Sequence, residues 1–410
     1  MGEPTRKPVE TPSHLRNFHL AARVSRLGTE TAFEVLAEAK ALEAQGRHIV
    51  HMEIGEPDFN TSGHIVEAAI QALRDGWHHY TPSAGILELR EAIAEDVSRS
   101  RGIEVSPDEV VVTPGAKPII FFGLLSLVEE GDEVIYPNPG FPIYESMIRY
   151  AGGVPVPIQL REELDFRLDV EELIRSAGPR TRMIILNSPN NPTGSVLARE
   201  DLARLAQAFA GSRVMFLSDE IYRQIVYEGE ALSIASFPGM KEATVVLDGF
   251  SKAYAMTGWR LGYGVMNRGL AAAVTRMMTN SNSCTAAFTQ RAGIVALKSD
   301  QSPVTEMVRT FRRRRDRLVK LLNEIKGITC RTPRGAFYVF PNIRALKRTS
   351  TDLAKALLHE AGVAVLSGTS FGEYGEGYLR LSYATSMEML EEGVRTIRGF
   401  VERELSSNAC

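Results

Sequence analysis

Short apolar runs alternate with amphipathic segments along most of the chain. The runs richest in β-branched residues are 110–113, 134–136, 183–187, 214–219 and 245–248. Continuous apolar runs of this length are typical of strands that are buried on both faces of a parallel sheet. Helical patterns separate most of them; the apolar residues between Ile65 and Leu73, for example, share one helical face until Asp75 and Gly76 end the helix. The alternation predicts an α/β fold with crossover helices.

The pattern changes after about residue 300. A long charged helix containing Arg312–Arg315 is followed by short apolar runs within 335–340, 363–366 and 378–382, mixed with helical segments. This mixture predicts a second, smaller α+β unit. The arginine run stands beside Asp316 in a nearly neutral chain, so we expect it to lie on a solvated helix face and not to form a nucleic-acid patch.

The two ends of the chain are not expected to carry catalysis alone. The first twenty or so residues contain Pro4, Pro8 and Pro12 and few apolar residues, which predicts a poorly ordered arm. Residues Ser406–Cys410 are predicted to form a frayed tail.

Composition and charge exclude several classes of protein. The 410 residues suffice for two or three domains and a site enclosed between them, and 47 Lys+Arg against 50 Asp+Glu leave a net charge of −3. Such a charge gives no reason to expect nucleic acid or an anionic membrane as the main partner. The apolar run Ile119–Val128 is too short to span a bilayer, and Met1–Glu10 has no signal-peptide core. Scattered cysteines (Cys284, Cys330, Cys410) fit a reducing cytoplasm.

Ligands of parallel sheets bind beyond the carboxyl ends of the strands, so the residues that follow each strand are candidates for a site. After 110–113 come Pro114–Lys117, small residues and one cation at the start of a helix, a geometry that suits phosphate but also an ordinary helix entry. After 183–187 comes Ser188–Gly194, a rigid turn whose asparagine amides can face a cleft.

Two further strand ends carry reactive groups. Strand 214–219 ends at Asp219, and a carboxylate so close to a buried strand end needs a partner, which a cationic ligand would supply. Strand 245–248 is followed by Lys252, between aromatic and small residues. Burial there lowers the pKa of a lysine and makes its neutral amine a nucleophile toward a carbonyl.

Six motifs in order resemble those of the class I aminotransferases that depend on pyridoxal phosphate (PLP), the fold type I family typified by aspartate aminotransferase. They are Gly55–Phe59, Tyr80–Pro82 with Gly85, Asn187–Gly194, Ser218–Tyr222, Ser251–Arg260 and Arg380–Tyr383. The resemblance covers about residues 25–400.

The resemblance implies a fold, a domain organisation and an assembly. It implies the α/β fold of a fold type I PLP-transferase, with a large PLP-binding domain (63–299) around a mainly parallel seven-stranded sheet. Residues 28–62 and 300–410 would form the smaller α+β domain, after an N-terminal arm of residues 1–27. It further implies a homodimer, and we expect the protein to act in amino acid metabolism in the cytoplasm.

The resemblance also assigns roles around the PLP ring. Lys252 is similar to the lysine that holds PLP as a Schiff base and then moves a proton between Cα and C4′. Asp219 matches the carboxylate that pairs with the pyridine nitrogen, which keeps the ring an electron sink. Asn191 and Tyr222 match the donors to the phenolic oxygen. Phe141 falls where the family stacks an aromatic ring on the cofactor, although a core role is also open.

Other matched positions concern the phosphate and the substrate. The positions that match the family's phosphate cup are Gly115, Ala116, Lys117, Ser251 and Arg260, with Tyr80 reaching across from the partner subunit. Gly249 stands where many members have serine, so we expect the cup to depend more on Lys117. Arg380, with Asn191, is implied to hold the substrate α-carboxylate, over which the backbone around Gly55 closes.

We therefore expect an aminotransferase that exchanges the amino group between an L-amino acid and a 2-oxo acid. Two alternatives stay open: a PLP-dependent lyase or decarboxylase of the same fold, and a PLP-holding regulatory or binding protein. The eight histidines lack metal-ligand spacing, so no metal is expected. The second cation that dicarboxylate specialists of the family use is not identified, and Phe33 and Ile54 are hypothesised to line the side-chain pocket.

Overall fold

The computed structural model describes residues 19–407. Pro4, Pro8 and Pro12 of the predicted arm, and most of the predicted tail, lie outside the described residues. Within the rest of the arm, Ala22–Arg26 form a 3₁₀ turn without buried residues. The prediction of a frayed tail from Ser406 is wrong at its start, because the last helix continues through Ser407.

Helices and strands alternate over most of the described chain. The helices α1 to α12 are Thr31–Glu43, Gly63–Arg74, Leu87–Arg101, Lys117–Leu127, Ile143–Tyr150, Val170–Ser176, Arg199–Phe209, Arg268–Ser281, Ala287–Lys298, Ser302–Asn323, Ser350–Ala356 and Met387–Ser407. The strands β1 to β12 are Val50–His51, Val110–Thr113, Glu133–Asn138, Val154–Gln159, Thr181–Asn187, Met215–Asp219, Thr244–Gly249, Gly262–Val265, Tyr338–Val339, Val363–Ala364, Leu366–Ser367 and Leu379–Ser382.

A seven-stranded sheet organises the larger part of the molecule. Its strand order is β2-β8-β7-β6-β5-β3-β4, and every neighbouring pair is parallel except the two pairs that β8 makes with β2 and β7. This sheet confirms the predicted α/β fold with a mainly parallel seven-stranded sheet. The four strands β3, β5, β6 and β7 are buried almost throughout, and because they run parallel, their carboxyl ends meet at one edge, which is where a ligand site is expected.

Five strands of this sheet were predicted and two were not. The missed edge strand β4 contains Pro155 and Pro157, which cannot donate to a ladder and so weaken the strand signal. The missed antiparallel strand β8 contains Gly262 and Gly264, and a side chain at Gly264 would crowd Ile119. Glycine therefore permits close packing of β8 against a helix while it hides the strand from an apolar pattern.

Two small sheets form around residues from both ends of the described chain. Strand β1 pairs in parallel with β10, and β11, β12 and β9 form an antiparallel sheet. The predicted run 335–340 shortens to β9, and the run 363–366 divides into β10 and β11. The β1–β10 pair attaches the segment before the large sheet to the C-terminal part of the molecule.

The arginine run in α10 does not lie entirely on a solvated face. The first two arginines are exposed, as predicted, but Arg314 and Arg315 are 9% and 2% exposed. Arg314 makes a bidentate ion pair with Asp58 at 2.7 and 2.8 Å, and Arg315 contacts Glu228 at 3.0 Å. The prediction is wrong for this half because four consecutive residues span all sides of a helix, including the side that packs on the core.

Within the part of the chain that the structure describes, no helix is both long and apolar enough to cross a bilayer. No group of three or more His, Cys, Asp or Glu side chains in the same residues is placed to hold a metal ion.

Candidate active site

A cavity of about 490 Å³ opens at the carboxyl ends of β5, β6 and β7. Its volume lies in the range of small-molecule and cofactor sites. The predicted site residues that line it are Gly55, Ala116, Lys117, Phe141, Asn191, Asp219, Tyr222, Ser251, Lys252, Arg260 and Arg380. The structure thus brings together residues that are up to about 330 positions apart in the sequence. Gly115 and Tyr80 do not line this cavity.

Lys252 follows the end of β7 and projects into the cavity. Its ammonium donates a hydrogen bond to the backbone oxygen of Gly55 at 2.5 Å and lies 5.9 and 5.8 Å from the ring centres of Tyr222 and Phe337. Burial lowers the pKa of Lys252 to about 8, although nearby Glu30 partly opposes this effect. A lysine with such a pKa has far more neutral, nucleophilic amine near neutral pH than an exposed lysine.

Asp219, the last residue of β6, is 5% exposed. One carboxylate oxygen accepts a hydrogen bond from the Tyr144 hydroxyl at 2.5 Å, and the other accepts one from the backbone N–H of Ile221 at 3.2 Å. Burial raises the pKa of Asp219 to about 6, although both hydrogen bonds oppose the increase. No lysine or arginine of residues 19–407 makes an ion pair with it, so the site holds a buried carboxylate that a cationic ligand would stabilise.

Tyr222 and Asn191 lie on the cavity wall beside Asp219. The hydroxyl groups of Tyr222 and Tyr338 are 2.7 Å apart, and burial keeps the pKa of Tyr222 well above its ordinary value. Tyr222 therefore remains a hydrogen-bond donor at neutral pH. Asn187, at the end of β5, fixes the turn that carries Asn191, because its side-chain oxygen accepts the Asn191 backbone N–H at 2.9 Å.

Arg380, on β12 of the three-stranded sheet, is 3% exposed and lines the cavity. Its guanidinium contacts the side-chain oxygen of Asn191 at 3.4 Å and the backbone oxygen of Glu53, and it lies 4.5 Å from the ring centre of Tyr338. Among the described residues, the buried Nε of Arg380 has no hydrogen-bond partner. A buried guanidinium that keeps a free N–H is suited to bind a carboxylate.

Another part of the cavity lining is suited to bind an anion. Ala116 precedes the first turn of α4, and Ser251 and Arg260 line the cavity with it. Gly115 has φ +85°, and a side chain there would overlap the guanidinium of Arg260. Gly115 therefore acts through the space that it leaves for Arg260. Backbone N–H groups at a helix start together with an arginine form a phosphate-type site.

Three predicted residues have surroundings that the sequence did not indicate. The Lys117 ammonium forms an ion pair with Glu30 and lies 5.4 Å from the ring centre of Phe141. Phe141 is half-buried and meets the ring of Tyr144 edge-on. Tyr80 is 88% exposed. The roles of Lys117 and Phe141 toward a cofactor, and that of Tyr80 toward a partner subunit, stay predictions.

Sequence reasoning missed several residues of the cavity wall. Tyr144 comes from α5, Tyr338 from β9 and Glu30 from the residue before α1, and none of them follows a strand of the large sheet or belongs to a recognised motif. Strand pairing is the signal that could have indicated Tyr338, because the strand that contains it pairs with the strand that contains Arg380. The hypothesised pocket residues Phe33 and Ile54 both line the cavity.

Comparison with known proteins identifies the family of this chain. The family model "Aminotransferase class I and II" matches residues 47–397. The "Probable aspartate/prephenate aminotransferase" of Aquifex aeolicus is 41% identical over 93% of this chain and 98% of its own. "Aromatic-amino-acid aminotransferase 2" of Thermococcus litoralis is 43% identical over 86% and 91%. The structure of Thermus thermophilus aspartate aminotransferase with maleate superposes with a TM-score of 0.89 at 38% identity and covers 93% and 99% of the two chains.

The chain therefore belongs to the class I and II aminotransferase family. It is an enzyme, an aminotransferase of fold type I, as the six motifs predicted.

Proposed function

We propose that this aminotransferase transfers the amino group of an L-amino acid to a 2-oxo acid with PLP as its cofactor. The observation that carries the proposal is the meeting of three buried groups in one cavity: the amine of Lys252, the carboxylate of Asp219 and the guanidinium of Arg380. Each has a property that the cofactor or the substrate would use, namely a lowered pKa, a missing cationic partner and a free N–H.

The residues present fit PLP along the whole length of the cavity. When bound, PLP supplies an aldehyde that condenses with amines and a ring that accepts electrons from the substrate Cα. Asp219 would hold the proton on the ring nitrogen, and Tyr222 with Asn191 would donate hydrogen bonds to the phenolic oxygen. The phosphate would lie between the start of α4, Ser251 and Arg260, with Lys117 nearby.

Two side chains of the protein would then orient the substrate and transfer its proton. Arg380 would bind the substrate α-carboxylate through two N–H groups, which fixes the direction of the Cα–H bond. Lys252, as a neutral amine, would take the Cα proton and return it at C4′. The donor would leave as a 2-oxo acid, and its amino group would stay with the cofactor. The same steps in reverse would give this amino group to the acceptor oxo acid, so atoms and charge balance over the two half-reactions.

The proposal includes the division of the chain into two domains and its assembly into a dimer. Residues 63–299 would form the large domain, and residues 28–62 with 300–410 the small one, which carries Gly55 and Arg380. The pairing of β1 with β10 supports this division. We also propose a cytoplasmic homodimer in which the exposed Tyr80 serves the neighbouring site; a fully active monomer in sedimentation would contradict the dimer.

The absorbance spectrum of the purified holoenzyme tests the function. Addition of an amino acid without any 2-oxo acid should convert the visible band to the pyridoxamine phosphate form, and the subsequent addition of a 2-oxo acid should restore it. Lys252→Ala should abolish turnover, whereas the half-exposed lysine variant Lys298→Ala should react normally. Robust exchange by Lys252→Ala would disprove the proposal, and release of ammonia without an acceptor would indicate elimination instead.

A further inference from the structure

One wall of the cavity is formed by α1 and the segment after β1. Four of its residues are apolar, and we call them the apolar wall: Ala32, Phe33, Leu36 and Ile54. Phe33 is 59% exposed and lines the cavity, which leaves its ring accessible at the cavity mouth. This wall offers an apolar ligand group a surface to cover.

The charged groups next to the apolar wall neutralise each other. Lys117, whose Nζ lies 5.7 Å from the ring centre of Phe33, forms an ion pair with Glu30. The side chains of Lys117 and Glu30 are 46% and 23% exposed, so the pair lies at the cavity mouth and the carboxylate is its more buried member.

Glu30 lies within the field of the reacting groups. Its carboxylate partly counteracts the effect of burial on the pKa values of Lys252 and Arg380, and it raises the pKa of Tyr338 further. An anionic substrate side chain in this space would meet the like charge of Glu30, and it could bind Lys117 only by displacing Glu30. An uncharged side chain would meet neither cost and would cover the apolar wall.

We propose that Glu30 is a specificity-determining residue: by pairing with Lys117, it selects amino acids with uncharged, apolar side chains and disfavours aspartate and glutamate. The inference deepens the proposed function, on which it rests, by naming the class of the amino donor. It separates this chain from relatives whose names specify aspartate and aligns it with the aromatic-amino-acid enzyme.

Binding of two matched acids tests the proposal without any turnover. Succinate and 3-phenylpropanoate correspond to aspartate and phenylalanine without their amino groups, and isothermal titration of the PLP-loaded enzyme measures both dissociation constants. We expect the wild type to bind 3-phenylpropanoate at least tenfold more tightly than succinate. Glu30→Gln, which removes the charge and keeps the shape, should tighten succinate at least fivefold and change 3-phenylpropanoate less than twofold.

Two controls assign the effect to the ion pair. Glu34→Gln removes an exposed glutamate of α1 that does not line the cavity, and it should leave both constants unchanged. In Glu30→Gln/Lys117→Gln the gain for succinate should disappear, because no ammonium is left to bind the second carboxylate. Absorbance at saturating PLP confirms that each variant carries the cofactor.

Several results would overturn the inference. These are a wild type that binds succinate at least as tightly as 3-phenylpropanoate, a wild type that binds neither acid at millimolar concentration, and a Glu30→Gln selectivity shift below fivefold. If Glu30→Gln does not fold, Glu30→Ala is judged by the same thresholds. Failure of the proposed function is distinguishable, since it would appear as absent spectral conversion by amino acids while the binding selectivity persists.

Discussion

Asp219 and Glu220 are adjacent at the end of β6 and both are buried, but their carboxylates have different surroundings. Asp219 faces the cavity and accepts hydrogen bonds only from uncharged donors, the Tyr144 hydroxyl and a backbone N–H. Glu220 accepts a hydrogen bond from the Nε of Arg101 at 3.0 Å, and Arg101 also contacts Asp248 at 2.5 Å. The Arg101 side chain is completely buried.

This difference separates a charge that is paired within the fold from one that is left for a ligand. Glu220 and Asp248 have their counter-ion inside the fold, so their charges are satisfied whether or not a ligand is bound. Asp219 lacks such a counter-ion and depends on what enters the cavity. Unpaired buried charges reduce stability and are retained where they bind or react, whereas paired ones become costly only when a partner is removed.

The largest expected effect is a loss of stability when the counter-ion of Glu220 and Asp248 is removed. Arg101→Met removes the buried arginine that contacts both Glu220 and Asp248, so the free energy of unfolding should fall by about 3–5 kcal/mol in urea denaturation. Arg99→Met, on the same helix, is the control, because the Arg99–Asp96 pair is exposed on the arginine side and should contribute at most about 1 kcal/mol. Equal losses in the two variants would contradict the comparison.

Asp219→Asn should have the opposite effects on activity and stability. Without the carboxylate, turnover should fall by about 10²–10³-fold, the usual result of removing one preorganised electrostatic group. The cofactor-free variant should nevertheless unfold less readily than the wild type, by about 3 kcal/mol at pH 7, because a pKa of about 6 against the ordinary 3.8 makes the buried charge costly. Steady-state kinetics and urea unfolding measure the two effects; a destabilised variant would show that Asp219 is satisfied within the fold.

The pH dependence of the stability difference between wild type and Asp219→Asn sharpens the comparison further. Below about pH 4 the carboxyl of Asp219 is protonated in both states, so cofactor-free wild type and Asp219→Asn should be equally stable. Between about pH 4 and 6 only the unfolded state releases the proton, so the wild type loses stability relative to the variant as the pH rises. Above about pH 6 the difference should stay constant. Unfolding measured at pH 4, 5, 6 and 7 checks this window, and a pH-independent difference would contradict it.

The smallest expected effect concerns the hydrogen bond to Asp219. Tyr144→Phe removes the O–H donor, so the pKa of Asp219 should rise further and the upper end of the pH window should move above about pH 6. Tyr136→Phe is the matched control, because Tyr136 donates to Glu145 at 2.9 Å and does not line the cavity. An unchanged window in Tyr144→Phe would show that this hydrogen bond does not set the pKa.

Much of this arrangement could be predicted from the sequence because it follows strand ends. Asp219 ends one apolar run and Lys252 lies shortly after another, and the rule that ligands collect at carboxyl ends suffices to place them together. Strand β8 escaped prediction because its glycines carry no apolar pattern. The buried half of the arginine run escaped because its partners, Asp58 and Glu228, are distant in sequence.

The side chains that contact the site residues could not be predicted either, because they are distant from them in sequence. Nothing in the segment around Tyr144 indicates that its hydroxyl reaches Asp219, about 75 residues later. The ion pair between Glu30 and Lys117 likewise spans about 87 residues. Strand-end motifs identify the candidate groups of the site, whereas side-chain contacts between distant segments determine their charge and pKa.

The pairing of β1 with β10 has a consequence for the order of folding. Val50 leaves the ribosome roughly 300 residues before its partner Val363, whereas the strands of the large sheet follow one another closely in synthesis. The large sheet has all of its strands once residue 265 is made, while β1 has to remain unpaired until the chain is almost complete. Since Gly55 follows β1 and Arg380 lies on β12, the candidate site is among the last features of the molecule to be assembled, and its lining is incomplete until residue 380 is made.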